Sequence, residues 1–329
     1  MMHFETAKRR EASTTPRVSI VIPSYNHQTY VAETIRSVLS QTFQDFELII
    51  IDDGSKDLSV DVIRRLMDEF SDRDILFIAR ENVGLCRTLN EGLRLSRGEF
   101  FAYLGSDDTW EPEKLEKQLD ALLAAGEDYG AAYSDCWMIN DSGERIGRLS
   151  RMYNYRGGDI YEDVVWNRSM PHSPTNLFWR SAVVRAGGFN ESHAVEDRDL
   201  WVRLSRIYKV AYVDIPLASW RSHGANNGSD VMKMYEYGCS ILRSILRDDP
   251  RFRSDEGRLW AELDSTHAYA CFAAGLRSEA RAAAFRSIRN KPFSILPWRV
   301  LFSSGVPENL LNLLRSIKKN LPRKPIQVI

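Results

Sequence analysis

Nowhere in the 329-residue chain do roughly 18 apolar residues stand together, so no segment reads as a helical membrane span. The opening stretch, MMHFETAKRREASTTP, carries charge but no apolar core of signal-peptide length, and is expected to form a loose tail ending at Pro16. An excess of one charge sign is missing as well. The 44 Lys and Arg balance 45 Asp and Glu to a net charge of -1, which argues against nucleic acid as a main partner. Cysteine is sparse. Cys86, Cys136, Cys239 and Cys271 lie far apart with no CxxC spacing, which excludes the usual zinc and redox motifs and suits reduced structural thiols of a cytosolic protein. Neither GxxxxGK nor GxGxxG follows the first predicted strand, so the phosphate loop and the dinucleotide fingerprint are both absent. No internal repeat or low-complexity segment is evident.

What is present is a regular alternation of buried strand and amphipathic helix. Val18 to Ile22 is a continuous, largely β-branched run that Pro23 is expected to stop, the pattern of a strand covered on both faces. YVAETIRSVLSQ then places Val31, Ile35, Val38 and Leu39 at helical spacing, and FELIIIDDGS supplies a second buried strand from Phe46 to Ile51. Helices around DVIRRLMDEF and LCRTLNEGLRLS and strands at ILFIAR and FFAYL continue the series. Residues 17–109 therefore read as an open, doubly wound α/β sheet.

Ligands of such sheets sit beyond the carboxyl ends of the strands. Three of those ends carry polar groups here: PSYN, with Pro23, Ser24 and Tyr25; DDGS, with Asp52 and Asp53; and GSDD, with Asp107 and Asp108. An exposed tyrosine can lie against a nucleobase, and carboxylates suit ribose hydroxyls, base N–H groups or a hard divalent cation holding a diphosphate. Each group taken alone is equally explained by turn and helix-capping chemistry. Three polar ends on neighbouring strands favour a nucleotide bridged by a metal.

The blocks VSIVIPSYNHQTYVAETIRSVLSQTFQDFELIIIDDGSKD, ENVGLCRTLNEGLRLSRGEFFAYLGSDDTWEPEKLEKQ, GGFNES, EDRDLWVRLS and WRSHG follow one another over residues 17–228. In order and spacing the series resembles the family 2 inverting glycosyltransferases of the GT-A fold, in particular those that assemble bacterial surface polysaccharides. The resemblance implies that Pro23, Ser24 and Tyr25 hold the base, with Asp53 as its acceptor and Asp52 and Arg87 as further contributors to the nucleotide pocket. Asp107 is implied on the ribose side and Asp108 as the metal ligand. Many members carry Asp where this chain has Gly105, which leaves Asp107 and Asp108 to carry the site.

Residues 110–228 form the acceptor-side, catalytic half of the same domain in this reading, a mixed extension of the sheet. Glu196 and Asp197 stand where an amphipathic helix begins, and capping would explain them on sequence alone. The resemblance makes Asp197 the catalytic base, with Glu196 assisting it. It also implies that Arg221 reaches the diphosphate and that His223 joins the metal. His172, Thr175 and Asn176 are placed at the acceptor pocket by location only, and Trp110, Trp166, Trp179 and Trp220 are either sugar platforms or core.

Residues 229–329 read as a helical appendage whose last stretch mixes apolar residues with Arg299, Arg315, Lys318, Lys319, Arg323 and Lys324. Such basic amphipathic helices lie on anionic membranes or pack against protein. The expected activity is transfer of a sugar from a nucleoside-diphosphate donor, a UDP-sugar, to a hydroxyl of a glycan or lipid-linked glycan. Mn2+ or Mg2+ would be the cofactor, and the inner face of the cytoplasmic membrane the setting. Two alternatives are a sugar-nucleotide nucleotidyltransferase, which should carry a Gly-rich, basic phosphate loop that PSYNHQ lacks, and a non-catalytic nucleotide-sugar or glycan binding module.

Overall fold

A computed structural model describes residues 15–193, 195–223 and 230–305. It divides into two compact units, one through residue 229 and one from residue 230. The stretch 1–14 and the basic residues Arg315 to Lys324 lie outside the described residues.

The first unit begins β1 (Val18–Ser24), α1 (Val31–Leu39), β2 (Phe46–Asp52), α2 (Ser59–Glu69), β3 (Ile75–Ala79), α3 (Leu85–Leu95), β4 (Phe100–Tyr103). The four strands pair in parallel in the order β3-β2-β1-β4. Both faces are covered, as the apolar runs require. Ile20, Ile22, Leu48, Ile50 and Phe77 join one core cluster with Val31, Ile35 and Val38 of α1, while Val21, Ile49 and Ile51 are equally buried on the opposite face. There α3 comes so close that a Cβ on Gly92 would lie 2.6 Å from a Val21 methyl.

Contrary to expectation, β1 does not stop at Pro23; the register continues through Pro23 and Ser24 opposite Ile51 and Asp52. The reason lies in the neighbouring strand. Pairing with β4 ends at Val21 opposite Tyr103, so the side that Pro23 would serve with its missing N–H holds no partner strand, and the proline costs no ladder bond. The sheet thus carries Ser24 and Asp52 one step further toward the ligand edge.

Beyond β4 the unit continues with β5 (Thr109–Trp110), α4 (Lys114–Ala125), β6 (Tyr129–Ile139), β7 (Arg145–Arg148), α5 (Tyr161–Val165), β8 (Leu177–Trp179), α6 (Arg180–Arg185), α7 (Asp197–Ser205) and β9 (Lys209–Arg221). The sheet extends through β4-β8-β6-β9-β5, with β7 paired to β6 and antiparallel pairs at β4/β8, β8/β6 and β9/β5. The result is the mixed α/β sheet that the GT-A resemblance leads one to expect. Strand β9 is the element least legible in the sequence, because Asp214 and Pro216 interrupt its apolar run. The structure absorbs them in a register shift between Ser134 and Asp135 of β6, where Pro216 stands opposite Asp135.

Asn176 ties the two halves of the sheet together. It is fully buried; its Oδ1 accepts from Tyr103 N at 2.9 Å and its Nδ2 donates to Tyr103 O at 3.0 Å, replacing a strand where β4 ends. The adjoining Thr175 is also fully buried, with its hydroxyl on His172 O and its carbonyl on the Gln118 amide. Both side chains are buried and bonded to backbone groups of the scaffold, although their location in sequence had suggested an acceptor pocket.

The second unit contains α8 (Val231–Asp248), α9 (Glu256–Ala273), α10 (Arg277–Asn290) and α11 (Ile295–Ser304). Asp230 caps α8 by accepting from Met232 N and Lys233 N, both at 3.1 Å. Ala280, Ala283 and Ala284 of α10 bury against Ala268, Cys271 and Val300, small side chains that let backbones approach closely. No described helix is long and apolar enough to cross a membrane.

Asn176→Ala would strand two buried backbone groups of Tyr103, at a cost of about 2–4 kcal/mol. Urea unfolding should show a lower midpoint with an unchanged m-value; an unaltered midpoint would mean that β4 and β8 hold without this bridge.

Candidate active site

The three polar strand ends meet at one edge of the sheet, laced together by short side chains. Asn26, at a left-handed φ of 54°, reverses the chain after β1 and accepts from Lys56 N at 2.7 Å, while Asn26 N donates to Ser55 Oγ at 2.9 Å. Asp52 is spent inside this lacing, accepting from Ser24 Oγ at 3.2 Å, Ser55 N at 2.9 Å and Ser55 Oγ at 2.6 Å. Asp53 reaches the other way. It accepts from Val83 N and Gly84 N, each at 2.9 Å, and from the guanidinium of Arg80. Three of about four lone-pair sites on that carboxylate are thereby filled, leaving one for a ligand N–H. The turn that presents Asp53 needs Gly54, whose φ is +82° and where a Cβ would lie 2.7 Å from Asn82 N. Tyr25 is 45% exposed at the same edge, free to stack.

Arg87 does not join this group. It is more than half exposed and pairs with Glu191 at 3.3 Å. The arginine at Asp53 is Arg80, with further bonds to Glu91 at 2.9 Å and Thr88 at 2.8 Å. Its signal was in the sequence, in IAREN at the end of β3, the strand next to β2.

At the end of β4 the two adjacent aspartates face different surroundings. Asp108 is 4% exposed; its Oδ1 accepts from Arg221 N at 2.8 Å and its carbonyl from Thr34 Oγ1 at 2.7 Å. Burial, then the neighbouring Asp107, pushes its carboxyl well above the usual range. Asp107 faces the edge. Its Oδ2 lies 2.9 Å from His223 Nε2 and 3.9 Å from His27 Nε2, and the three ligand atoms fall within 4.8 Å of one another. His27 Nδ1 is 2.8 Å from Ser106 Oγ, and burial lowers its pKa, which favours the neutral ring. The tautomer that donates Nδ1–H to Ser106 turns a bare Nε2 toward a carboxylate, an arrangement a cation would resolve. Two imidazoles and one carboxylate fit a transition-metal dication such as Mn2+ better than Mg2+, which prefers oxygen. Sequence reasoning placed the metal on Asp108 and His223; among the described residues the side chains close enough to share an ion are instead Asp107, His223 and His27.

Gly105 adjoins both carboxylates. A Cβ there would stand 2.8 Å from Asp107 Oδ1 and 3.4 Å from Asp108 Oδ2, so a side chain at this position would shift the end of the Asp107 carboxylate.

Arg221 spans the back of the site rather than its mouth. Only 1% exposed, it donates from Nε to Asp107 O at 2.8 Å, from Nη1 to Asn140 O and Asp141 O at 3.1 Å, and from Nη2 to Glu33 at 2.6 Å. Its guanidinium also lies 4.8 Å from the Tyr30 ring centroid. These bonds make it a brace for the Asp107–Asp108 turn, in place of the diphosphate contact expected of it.

The second acidic group stands at the start of α7. Glu196 is buried, accepts from Ser173 Oγ at 2.8 Å, and is pushed up to about 7 by burial and then by the Asp197 charge. Asp197 accepts from Arg198 N at 2.5 Å; burial raises its pKa and the Arg198 contacts oppose the rise. The two acidic groups feel one another: Asp107 contributes to the rise at Glu196, and Glu196 to that at Asp108. Beside them His172, driven down to about 4 by burial, shares a bond of 2.9 Å with Tyr155 and an edge contact with Tyr153, whose pKa Asp197 helps raise. Trp220 lies 6.4 Å from His172, ring to ring. Trp110 instead donates to Pro174 O at 2.8 Å and covers the buried Lys114, and Trp179 packs on Phe100, so these two belong to the core.

The sequence profile of Glycosyl transferase family 2 matches residues 19–185, half of the chain. An uncharacterized glycosyltransferase of Rickettsia conorii is 28% identical over 229 residues, 69% of this chain; the chain spans 37% of that relative's length. Among solved structures, the mannosyltransferase PcManGT from Pyrobaculum calidifontis in complex with GDP-Man and Mn2+ superposes with a TM-score of 0.61 at 18% identity, over 93% of this chain and 83% of its own. S. aureus TarS in complex with UDP-GlcNAc gives 0.58 at 17% identity, over 86% and 82%. The structural likenesses establish the fold, and the profile match over residues 19–185, which takes in all three strand ends and strands β6 and β8, shows that the chain belongs to glycosyl transferase family 2.

Proposed function

We propose that the protein is a metal-dependent, inverting glycosyltransferase that moves a sugar from a nucleoside diphosphate, a UDP-sugar, to a hydroxyl of a glycan or lipid-linked glycan. The observation that carries this reading is the cluster of His27, Asp107 and His223 at the end of β4, close enough to share one ion, in a chain of glycosyl transferase family 2 whose second acidic group, Glu196 and Asp197, stands at the start of α7. A donor held at the first group would present its anomeric carbon to an acceptor at the second. The ligands named for the two solved relatives, GDP-Man with Mn2+ and UDP-GlcNAc, support the donor class.

In this reading Pro23, Ser24 and Tyr25 form the floor of the base pocket, Asp53 offers its remaining acceptor site to a base N–H, and Asp107, His223 and His27 would hold the cation. A divalent ion there would offset the charge that develops on the departing diphosphate. Asp197 takes the proton of the acceptor hydroxyl as its oxygen attacks the anomeric carbon. The bond to the diphosphate oxygen breaks on the opposite face, so the configuration inverts. Glu196, neutral up to about 7, can donate a hydrogen bond and spares Asp197 a second adjacent charge. His172, Tyr153 and Trp220 supply a ring-lined wall suited to an acceptor sugar. A lipid-linked acceptor would bring the reaction to a membrane surface, at the inner face of the cytoplasmic membrane.

Asp197→Asn keeps the shape of the side chain and removes the base, so kcat for transfer should fall about 10²–10⁴-fold with donor affinity, read by calorimetry with UDP and Mn2+, unchanged. Transfer within a factor of about two of wild type would remove Asp197 from the role. The raised Glu196 gives a second expectation, of stability. Its folded pKa lies above the ordinary carboxyl value of 4.5, so stability is fully present below that value and declines as pH rises toward about 7. Glu196→Gln should therefore melt a few degrees higher than wild type at pH 8 and no higher at pH 4; equal melting at both would show that the carboxyl is not strained by burial.

A further inference from the structure

We propose that the exposed face of α11, in a unit whose sequence is strongly basic, is a docking surface for an anionic lipid bilayer. The inference stands on the second unit alone and does not depend on the reading of the catalytic site. Its first support is charge. Residues 230–329 hold 17 Lys and Arg against 10 Asp and Glu, whereas residues 1–229 hold 27 against 35, so a chain of near-zero net charge conceals a strongly basic terminal unit. The bias peaks at the end: five basic residues and a single acid, Glu308, fall within residues 306–329.

The second support is an apolar strip that burial in the protein does not explain. Phe293 is 95% exposed, Ile295 and Phe302 73% each, and Trp298 39%. Within α11 the spacing of Ile295, Trp298 and Phe302 puts them on one face, with Phe293 immediately before the helix. Pro297, Val300 and Ser304, on the other side, are buried. Trp298 stacks with Phe302 at 6.2 Å and donates its indole N–H to Pro292 O at 2.7 Å, so its one polar atom is already satisfied. Arg299 is exposed next to the strip.

These two features select the occupant. A second copy of the chain, or another protein, would cover the aromatics, but a face flanked by Arg299 and followed by Arg315, Lys318, Lys319, Arg323 and Lys324 repels its own copy and attracts anionic headgroups. Aromatic rings at the headgroup level and cations against the phosphates are the chemistry of interfacial helices, and each term alone binds weakly. No described helix is both long and apolar enough to span, so the contact would be reversible and peripheral.

The test is flotation of the full-length protein with vesicles of phosphatidylcholine alone or with 30%, roughly, of phosphatidylglycerol, compared with Phe293→Ser/Phe302→Ser and Arg299→Glu variants. The wild type should float with the anionic vesicles only, lose binding in high salt, and bind about tenfold less tightly in either variant. Both serine positions are strongly exposed, so melting should be unchanged. Because a variant that misfolds would also fail to float, brominated lipids should in addition quench the tryptophan fluorescence of the wild type. Three outcomes would overturn the proposal: no binding to anionic vesicles, equal binding to both vesicle types, or binding that survives both variants and depends only on residues 306–329. Vesicle-independent dimerisation abolished by the same variants would overturn it in favour of self-association.

Discussion

The buried guanidinium of Arg221 is the contact on which the candidate site depends. At the end of β9 it reaches the Asp107 carbonyl, the carbonyls of Asn140 and Asp141, and Glu33 of α1, while its own backbone N–H closes on Asp108. A charge so deeply enclosed is costly unless each donor is met. Here the partners come from three separate segments, and satisfying the cation fixes them against one another. One consequence is the difference between two adjacent aspartates. Asp108 is drawn inward to the brace, and Asp107 is left facing His223 and His27.

That division explains how the rest of the edge is built. Asp52 and Asp53 divide in the same way, one consumed by the serine turn, the other turned toward the loop at Val83 and Gly84 and held by Arg80. At these two strand ends one carboxylate is spent on the turn, while Asp107 faces two imidazoles and Asp53 keeps one acceptor site beyond its three bonds. The acids at α7 show a related economy, because burial keeps Glu196 neutral up to about 7 and so limits the negative charge collected between the two groups.

The parallel half of the fold was legible because its signal is local. Continuous β-branched strands alternating with amphipathic helices admit few other arrangements, and FFAYL followed by GSDD could be read as a strand delivering carboxylates to an edge. Strand β9 was not legible, since Asp214 and Pro216 imitate a turn and only its pairing with β6 reveals the bulge. The site was legible at the level of segments and less so at the level of atoms. That Arg80 rather than Arg87 meets Asp53, that Arg221 braces rather than faces the ligand, and that Thr175 and Asn176 turn into the scaffold are all consequences of long-range packing. His27 was quoted in PSYNHQ without a role, because nothing nearby in sequence places it beside residues 107 and 223. Gly105, by contrast, stands out in the sequence as a departure from the family, and in the structure it adjoins both carboxylates.

The central claim is that the brace assigns the cation to Asp107. Anomalous diffraction at the manganese edge, from crystals grown with UDP and Mn2+, tests it directly. The account predicts a single peak within coordinating distance of Asp107 and His223, with His27 beside it and Arg221 still bonded to Asp108. A peak coordinated by Asp108, with Arg221 released toward the diphosphate, would contradict it.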